Sequence, residues 1–358
     1  MEELLKRLTE TPGPSGQEQQ VRDAIAKEIL PFCQELREDP LGNLLARIGT
    51  KQDYRVGILA HMDEVGLIVS RISDRGLISF EVGGTLDVRM LPGLEVDLMA
   101  SDGKLLRGVI GNQSRHLQTA EDLGSQISHR QLFIDMGARS RDEVLARGVS
   151  IGSGVVFATK FHQFPNRTVL GKALDDRISC AVLVKTIQAL HSTLKNITVY
   201  GMFTIQEEIG AKGARVVAFD VQPQMTITLD TVPTKNPDQV SSQDLELGRG
   251  PVIRLFDWHP STKLGMVTHR AIKDRLLQVA KEEGIAHQID VLTSTYLDSS
   301  QAHLTAGGIP GGSICFPRRY AHGPVELSHL DDMEAGLKLL IAFIKSVDED
   351  PIKFGKLY

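Results

Sequence analysis

The sequence predicts an α/β protein, a three-layer α/β/α domain that carries an inserted small β-rich, barrel-like domain. Three observations carry this expectation. Short apolar runs alternate with amphipathic stretches toward both ends of the chain. The middle is instead rich in Val, Ile and Gly with frequent turn signals. The length, 358 residues, also exceeds the size at which a single hydrophobic core stops growing.

The elements follow in order. Gln17 to Glu35 reads as an amphipathic helix, with Val21, Ala24, Ile25, Ile29 and Leu30 near one face and Ser15-Gly16 ahead of it as a cap. A turn at Asp39-Pro40-Leu41-Gly42-Asn43 leads into a strand from Leu44 to Ile48. Arg55 to Ala60 is a short buried strand that runs directly into His61-Met62-Asp63-Glu64. The same pattern recurs where Ile197 to Ile205 meets Gln206-Glu207-Glu208 and where Met225 to Leu229 meets Asp230-Thr231. Helical stretches are expected at Arg177 to Leu190 and around Ala214 to Ala218. Gly312 to Phe316 is read as the last strand and Met333 to Val347 as the final helix. The inserted domain is placed at residues 68–161, so the α/β domain takes 1–67 and 162–358. Turns at Val82-Gly83-Gly84, Leu91-Pro92-Gly93, Ser101-Asp102-Gly103 and Ile151-Gly152-Ser153-Gly154 punctuate the insert. Only Ser140 to Arg147 and Thr119 to Ile127 look helical within it.

Composition narrows the function classes. With 41% hydrophobic and 24% charged residues the chain is globular, neither disordered nor fibrous. A formal net charge of -5 gives no reason to expect nucleic-acid binding. No run approaches the ~18 apolar residues that span a bilayer, so no membrane partner is expected. MEELLKRLTE alternates charges and is not a signal peptide. Cys33, Cys180 and Cys315 are scattered and form no CxxC pair. They argue against a cysteine zinc site or a disulfide framework and suit a cytoplasmic chain.

The polar residues that follow the apolar runs are the candidates for chemistry. Taken singly, each is also what a solvated turn or a helix N-terminus offers. Together they form a set. Ligands of open α/β sheets gather beyond the carboxyl ends of the strands, and three predicted strands end in acidic or histidine residues. His61 and His322 with Asp175, Glu208 and Asp230 could supply two divalent cations with three protein ligands each if one carboxylate bridges. Such a nitrogen and oxygen donor set suits zinc, cobalt or manganese. Glu207-Glu208 suits a division of labour, one carboxylate on a metal and the other free to take a proton from metal-bound water.

In the order HMDE, GKALDDR, QEEIGAKGA, LDT and RRYAHGPVE, the chain resembles the tetrahedral, or glutamyl-type, two-metal aminopeptidases of metallopeptidase family forty-two, in the co-catalytic metallopeptidase clan. PGPSGQEQQVR, VGGTLDVRMLPG, LFIDMGARSRDE and GPVI extend the likeness over nearly the whole chain. The resemblance implies an aminopeptidase acting on peptide substrates. It implies that His61 and Asp230 hold one metal, that Glu208 and His322 hold the other, and that Asp175 bridges. It further implies that Glu207 is the general base, that Asp63 orients His61, and that Asp176 is structural, in an Asp-Asp peptide bond that is often cis in the family. The inserted domain would mediate dimer formation within a homo-oligomer, commonly a dodecamer of six dimers. Two segments depart from the pattern. Thr295-Tyr296-Leu297-Asp298-Ser299-Ser300 stands where the family carries Gly-Thr-Asp-Ala, and Arg115-His116-Leu117 replaces Pro-His-Leu. The first touches the expected substrate pocket. Arg254, Lys263 and Arg270 are candidate cations for an acidic side chain, although each also reads as an ordinary surface charge. The rival readings are a deacylase or amidase using the same metals, a glucanase, and a non-catalytic scaffold.

Overall fold

The computed structural model describes residues 1–51, 53–117, 127–235 and 244–355. The N-terminal part holds helices α1 (Glu2–Glu10) and α2 (Gln19–Ile29) and strands β1 (Glu35–Glu38), β2 (Leu44–Ile48) and β3 (Arg55–His61). The middle holds β4 (Gly66–Ile72), β5 (Ile78–Gly83), β6 (Glu95–Met99), β7 (Leu105–Gly111), β8 (Phe133–Asp135), helix α3 (Arg141–Ala146) and β9 (Gly154–Phe157). Next come β10 (His162–Gln163), β11 (Thr168–Gly171), α4 (Leu174–Leu190), β12 (Thr198–Thr204), α5 (Lys212–Val221) and β13 (Met225–Pro233). The chain ends with β14 (Val252–Trp258), β15 (Gly265–Val267), α6 (Arg270–Glu282), β16 (Gln288–Thr293), α7 (Ser299–Ala302), β17 (Gly311–Arg318), β18 (Glu326–His329) and α8 (Leu330–Glu349).

A nine-stranded sheet in the order β1-β2-β12-β3-β13-β17-β14-β15, with β16 paired to β14, forms the central layer. Strands β12, β3, β13 and β17 run parallel, so their carboxyl ends share one edge. Side chains alternate between the faces of this sheet, as the two-residue period of a strand requires. Val56, Ile58 and Ala60 of β3 join the core beneath α1, α2, α4, α6 and α8, whereas Leu59 packs with Ala214 and Val217 of α5 on the other face. Helix α4 is buried on nearly every side, from Ile178 through Val184, which suits its apolar composition all round. Truncating Ile58 at the centre of this core would cost ~2–5 kcal/mol.

Strands β4 to β9 close a separate barrel in the order β4-β5-β8-β7-β6-β9. Its own core contains Ile78, Phe80, Val96, Leu98, Ile110 and Ile134. Ile78 and Phe80 point inward while Ser79 and Glu81 point to solvent, the alternation expected of a small closed barrel.

The structure corrects several expectations. The first long helix stops at Ile29, and a 3-10 turn follows at Leu30–Phe32, where Pro31 cannot continue the helical hydrogen bonding. Strand β17 is not the last one. Glu326–His329 forms β18 and pairs with β11, a polar four-residue strand too short to show a period. The helix expected from Thr119 lies, through residue 126, outside the described residues. Among the described residues, no helix is long and apolar enough to cross a membrane.

Candidate metal centre

The parallel edge of the sheet assembles the site. His61 is the last residue of β3, Asp230 lies near the end of β13, and β12 ends at Thr204, three residues before Glu207. Within a strand Glu207 and Glu208 would point to opposite faces. Here the strand has ended and Gln206 takes a left-handed φ of 55°. Asp63 then captures both of the following amides, Glu207 N at 2.9 Å and Glu208 N at 3.2 Å, while accepting the Ser15 hydroxyl at 2.6 Å. Both glutamates are thereby turned into one cavity. Gly213 makes this turn possible, because a Cβ there would sit 2.3 Å from Asn43 Oδ1 and 2.7 Å from the Ile205 amide nitrogen.

Asp175 and Asp176 precede the regular part of α4, with non-helical backbone angles and a cis peptide bond between them. Asp175 stands between the two histidines. Its Oδ1 lies 3.2 Å from His61 Nε2, and its Oδ2 lies 3.2 Å from His322 Nε2. His322 Nε2 is also 3.5 Å from Glu208 Oε2. The other face of His61 is held by Asp63, whose carbonyl lies 3.1 Å from Nδ1 and whose Oδ1 lies 3.4 Å away. His322 has a left-handed φ of 54°, and its amide donates to Glu326 at 3.0 Å.

Asp175, Glu207, Glu208, Asp230 and His322 line one cavity of about 250 Å³, with His61 and Asp63 buried behind Asp175 and Glu207. The outer wall comes from Thr85, which follows β5 of the barrel, and from Pro233, His259, Ser294, Thr295, Tyr296 and Leu297. Tyr296 meets His259 edge-on at 6.1 Å, so the segment that departs from the family pattern does form the pocket wall. Arg254, Lys263 and Arg270 are not in it. Arg254 is buried against Asp290, Lys263 lies over the Trp258 ring, and Arg270 pairs with Asp274. Among the described residues, the arginine that does line the cavity is Arg318. Motif reading did not single it out, although two adjacent arginines ending a buried strand are a visible oddity.

Burial and close carboxylates set the electrostatics of the cavity. Burial, reinforced by the Asp175 charge, pushes the Asp230 carboxyl up to about 8. Burial pushes Glu208 up to about 7, although His322 opposes it. Glu207 is raised well above the usual carboxylate range by burial, with Asp230 and Glu208 adding to it. Burial would lower His322, but Glu208 and Asp175 outweigh it and raise the imidazole to about 9. Burial would raise Asp175, but Arg318, His322 and His61 hold it well below the usual range. Oxygens of Asp176, Glu207, Glu208 and Asp298 are buried without a hydrogen-bond partner. Such a surplus of open, buried carboxylate oxygens is what a bound cation satisfies. Ligand atoms of His61, Asp175 and Glu208 lie within 4.8 Å of one another, as do those of His61, Asp176 and Asp230. The residues therefore fit a divalent metal. The second group brings Asp176 closer to the donors than a purely structural role suggests.

The M42 glutamyl aminopeptidase family model matches residues 42–339. The lysyl aminopeptidase of Pyrococcus furiosus is 29% identical over 96% of this chain and 97% of its own. The crystal structure of a TET aminopeptidase from a marine sediment Thaumarchaeota archaeon superposes with a TM-score of 0.91 at 30% identity, covering 97% of each chain. The TET1 peptidase of Pyrococcus horikoshii, which can assemble into a tetrahedron or a large octahedral shell, is 33% identical with a TM-score of 0.85, over 95% of this chain and 98% of that one. Fold and site together define a metal-dependent peptide-bond hydrolase. The chain belongs to the M42 glutamyl aminopeptidase family, and it is an aminopeptidase.

Proposed function

We propose that the centre holds two divalent cations, zinc, cobalt or manganese, and removes single residues from the free N-termini of peptides. The observation that carries this reading is Asp175, whose two oxygens face two different histidines at 3.2 Å. Such a disposition supports a bridging role for this carboxylate. His61 and Asp230 would complete one side, and Glu208 and His322 the other. When bound, the cations would polarise the scissile carbonyl and acidify a water molecule. Glu207, beside Glu208 in the cavity and with one oxygen unpartnered, would take the proton of that water and deliver it to the leaving amine. Asp63 supports both roles, because it fixes the His61 ring and the Glu207 and Glu208 amides together. The Tyr296–His259 wall would meet the first side chain of the peptide.

The domain division at residues 68 and 161 and a dimerisation role for the barrel are part of the proposal, as is a homo-oligomer up to a dodecamer. The separate barrel core supports the division. The three unpaired cysteines suit a reducing cytoplasm. The test is a panel of aminoacyl amides and their N-acetylated forms, assayed with metal-stripped protein and again after zinc, cobalt or manganese is restored. Activity should return with the cation and require the free amine. Activity that survives stripping refutes the metal reading, and equal rates on acetylated substrates would make the protein a deacylase or amidase.

A further inference from the structure

Arg318 is the charged residue of the cavity that the proposed reaction leaves unused. It ends β17 and is 3% exposed. Each of its nitrogens has a partner. Nε donates to Thr231 Oγ1 at 2.5 Å, Nη1 to Glu326 Oε1 and Nη2 to Asp175 Oδ2. Glu326 accepts the His322 amide on the same Oε1 at 3.0 Å, and on Oε2 it accepts the Asp175 amide at 3.1 Å. One guanidinium thus joins Asp175, the neighbour of Asp230 and, through Glu326, the backbone of His322.

These contacts are one-sided. Asp175 Oδ1 faces His61, while Oδ2 faces both His322 and Arg318. A cation taking Oδ1 would meet an oxygen free of the guanidinium. A cation taking Oδ2 would share its oxygen with a fixed positive charge, and like charges repel strongly at short range where water is excluded. We propose that Arg318 is a positioning residue that makes the two halves of the centre unequal. It holds Asp175 and His322 in place before any cation arrives, and its charge weakens binding on the Glu208–His322 side relative to the His61 side. The inference rests on the two-cation reading above.

The test titrates metal-stripped protein with Zn²⁺ by calorimetry and with Co²⁺ by visible absorption. Arg318→Met alone leaves Glu326 buried without its partner, which is costly, so the double variant Arg318→Met/Glu326→Gln removes both charges. Arg318→Lys keeps the charge without the forked geometry. Wild type should bind in two steps. In the double variant the weaker step should tighten by at least about tenfold, with the tighter step changing by less than about threefold. Arg318→Lys should keep the gap. The inference is overturned if the double variant leaves the ratio of the two affinities unchanged, if it weakens both steps together as loss of a mere scaffold would, or if Arg318→Lys closes the gap. A wild-type protein that takes up one cation or none overturns the two-cation reading itself, and this inference with it, before any variant is compared.

Discussion

Two buried charge clusters lie side by side beyond the end of β3, and they are completed differently. Around Glu64 every carboxylate oxygen has a partner from the chain. Oε1 accepts Lys172 Nζ at 2.8 Å, Arg177 Nη2 at 3.3 Å and the Gly13 amide at 3.0 Å, and Oε2 accepts Lys172 at 2.7 Å. Arg177 also donates to the carbonyls of Met62, Leu8 and Thr11, so this cluster fastens α1 and α4 to the end of β3. Around Asp175 the carboxylates Glu207, Glu208 and Asp230 line one cavity with Asp176 and Asp298 buried close by, and among the described residues Arg318 is the arginine that lines it. Both clusters pay the desolvation cost of burial. In the first the carboxylate is matched by cations of the chain itself, whereas the second keeps buried carboxylate oxygens without a hydrogen-bond partner. Burial of charge alone therefore does not mark a functional site; the unfilled oxygens do.

The largest effect that would break this contrast is on turnover. Glu207→Gln in the open cluster should lower kcat by ~10²–10⁴-fold. It should leave thermal stability unchanged or raised, because burial disfavours the charged form of this carboxyl and the amide carries no charge to desolvate. Steady-state kinetics with metal analysis of the same samples checks this, and near-wild-type turnover would remove Glu207 from its role. Lys172→Met in the closed cluster should do the reverse. Breaking one arm of a buried ion pair should destabilise the fold by about 3 kcal/mol, measured by denaturant unfolding, and no added cation should restore the loss. Restoration by zinc would mean that the two clusters are one functional unit.

The smallest effect is a pH dependence that sharpens the contrast. In metal-stripped protein, Asp230 is raised from 3.8 to about 8, Glu208 from 4.5 to about 7 and His322 from 6.5 to about 9. Each folded value lies above its unfolded one, so across these windows the folded chain binds more protons. Stability is then highest at the acid end and is lost as pH rises through the folded values. The melting temperature of stripped protein should fall by at least about 3 °C between pH 6.5 and 9, and cation-loaded protein should show a flatter profile. A stripped protein that gains stability over this range would mean that the carboxylates are already ionised and compensated.

Much of the centre was legible as sequence because its donors sit where apolar runs stop. His61 ends β3, Asp230 lies three residues before the end of β13, and Glu207-Glu208 follow β12. Parallel strands bring such ends to one edge whatever the loops do. Glu326 entered only as the last residue of the RRYAHGPVE match. What stayed illegible depends on pairs far apart in the chain. Arg254 could be read as a pocket cation until the register of β14 against β16 placed Asp290 beside it. The approach of Thr85 from the barrel, and the meeting of Tyr296 with His259, likewise need the folded chain.

By itself, then, the sequence determined the alternation of strands and helices, the separate β-rich insert and the acidic and histidine residues at the strand ends, because side-chain periodicity and strand termination are local properties. The tertiary structure decided how those residues are oriented toward one another. It turned both Glu207 and Glu208 inward through Gln206 and Asp63, set Asp175 between two histidines and brought Arg318 onto only one of its oxygens. Those are matters of orientation within a few ångströms, set by contacts between residues more than a hundred positions apart.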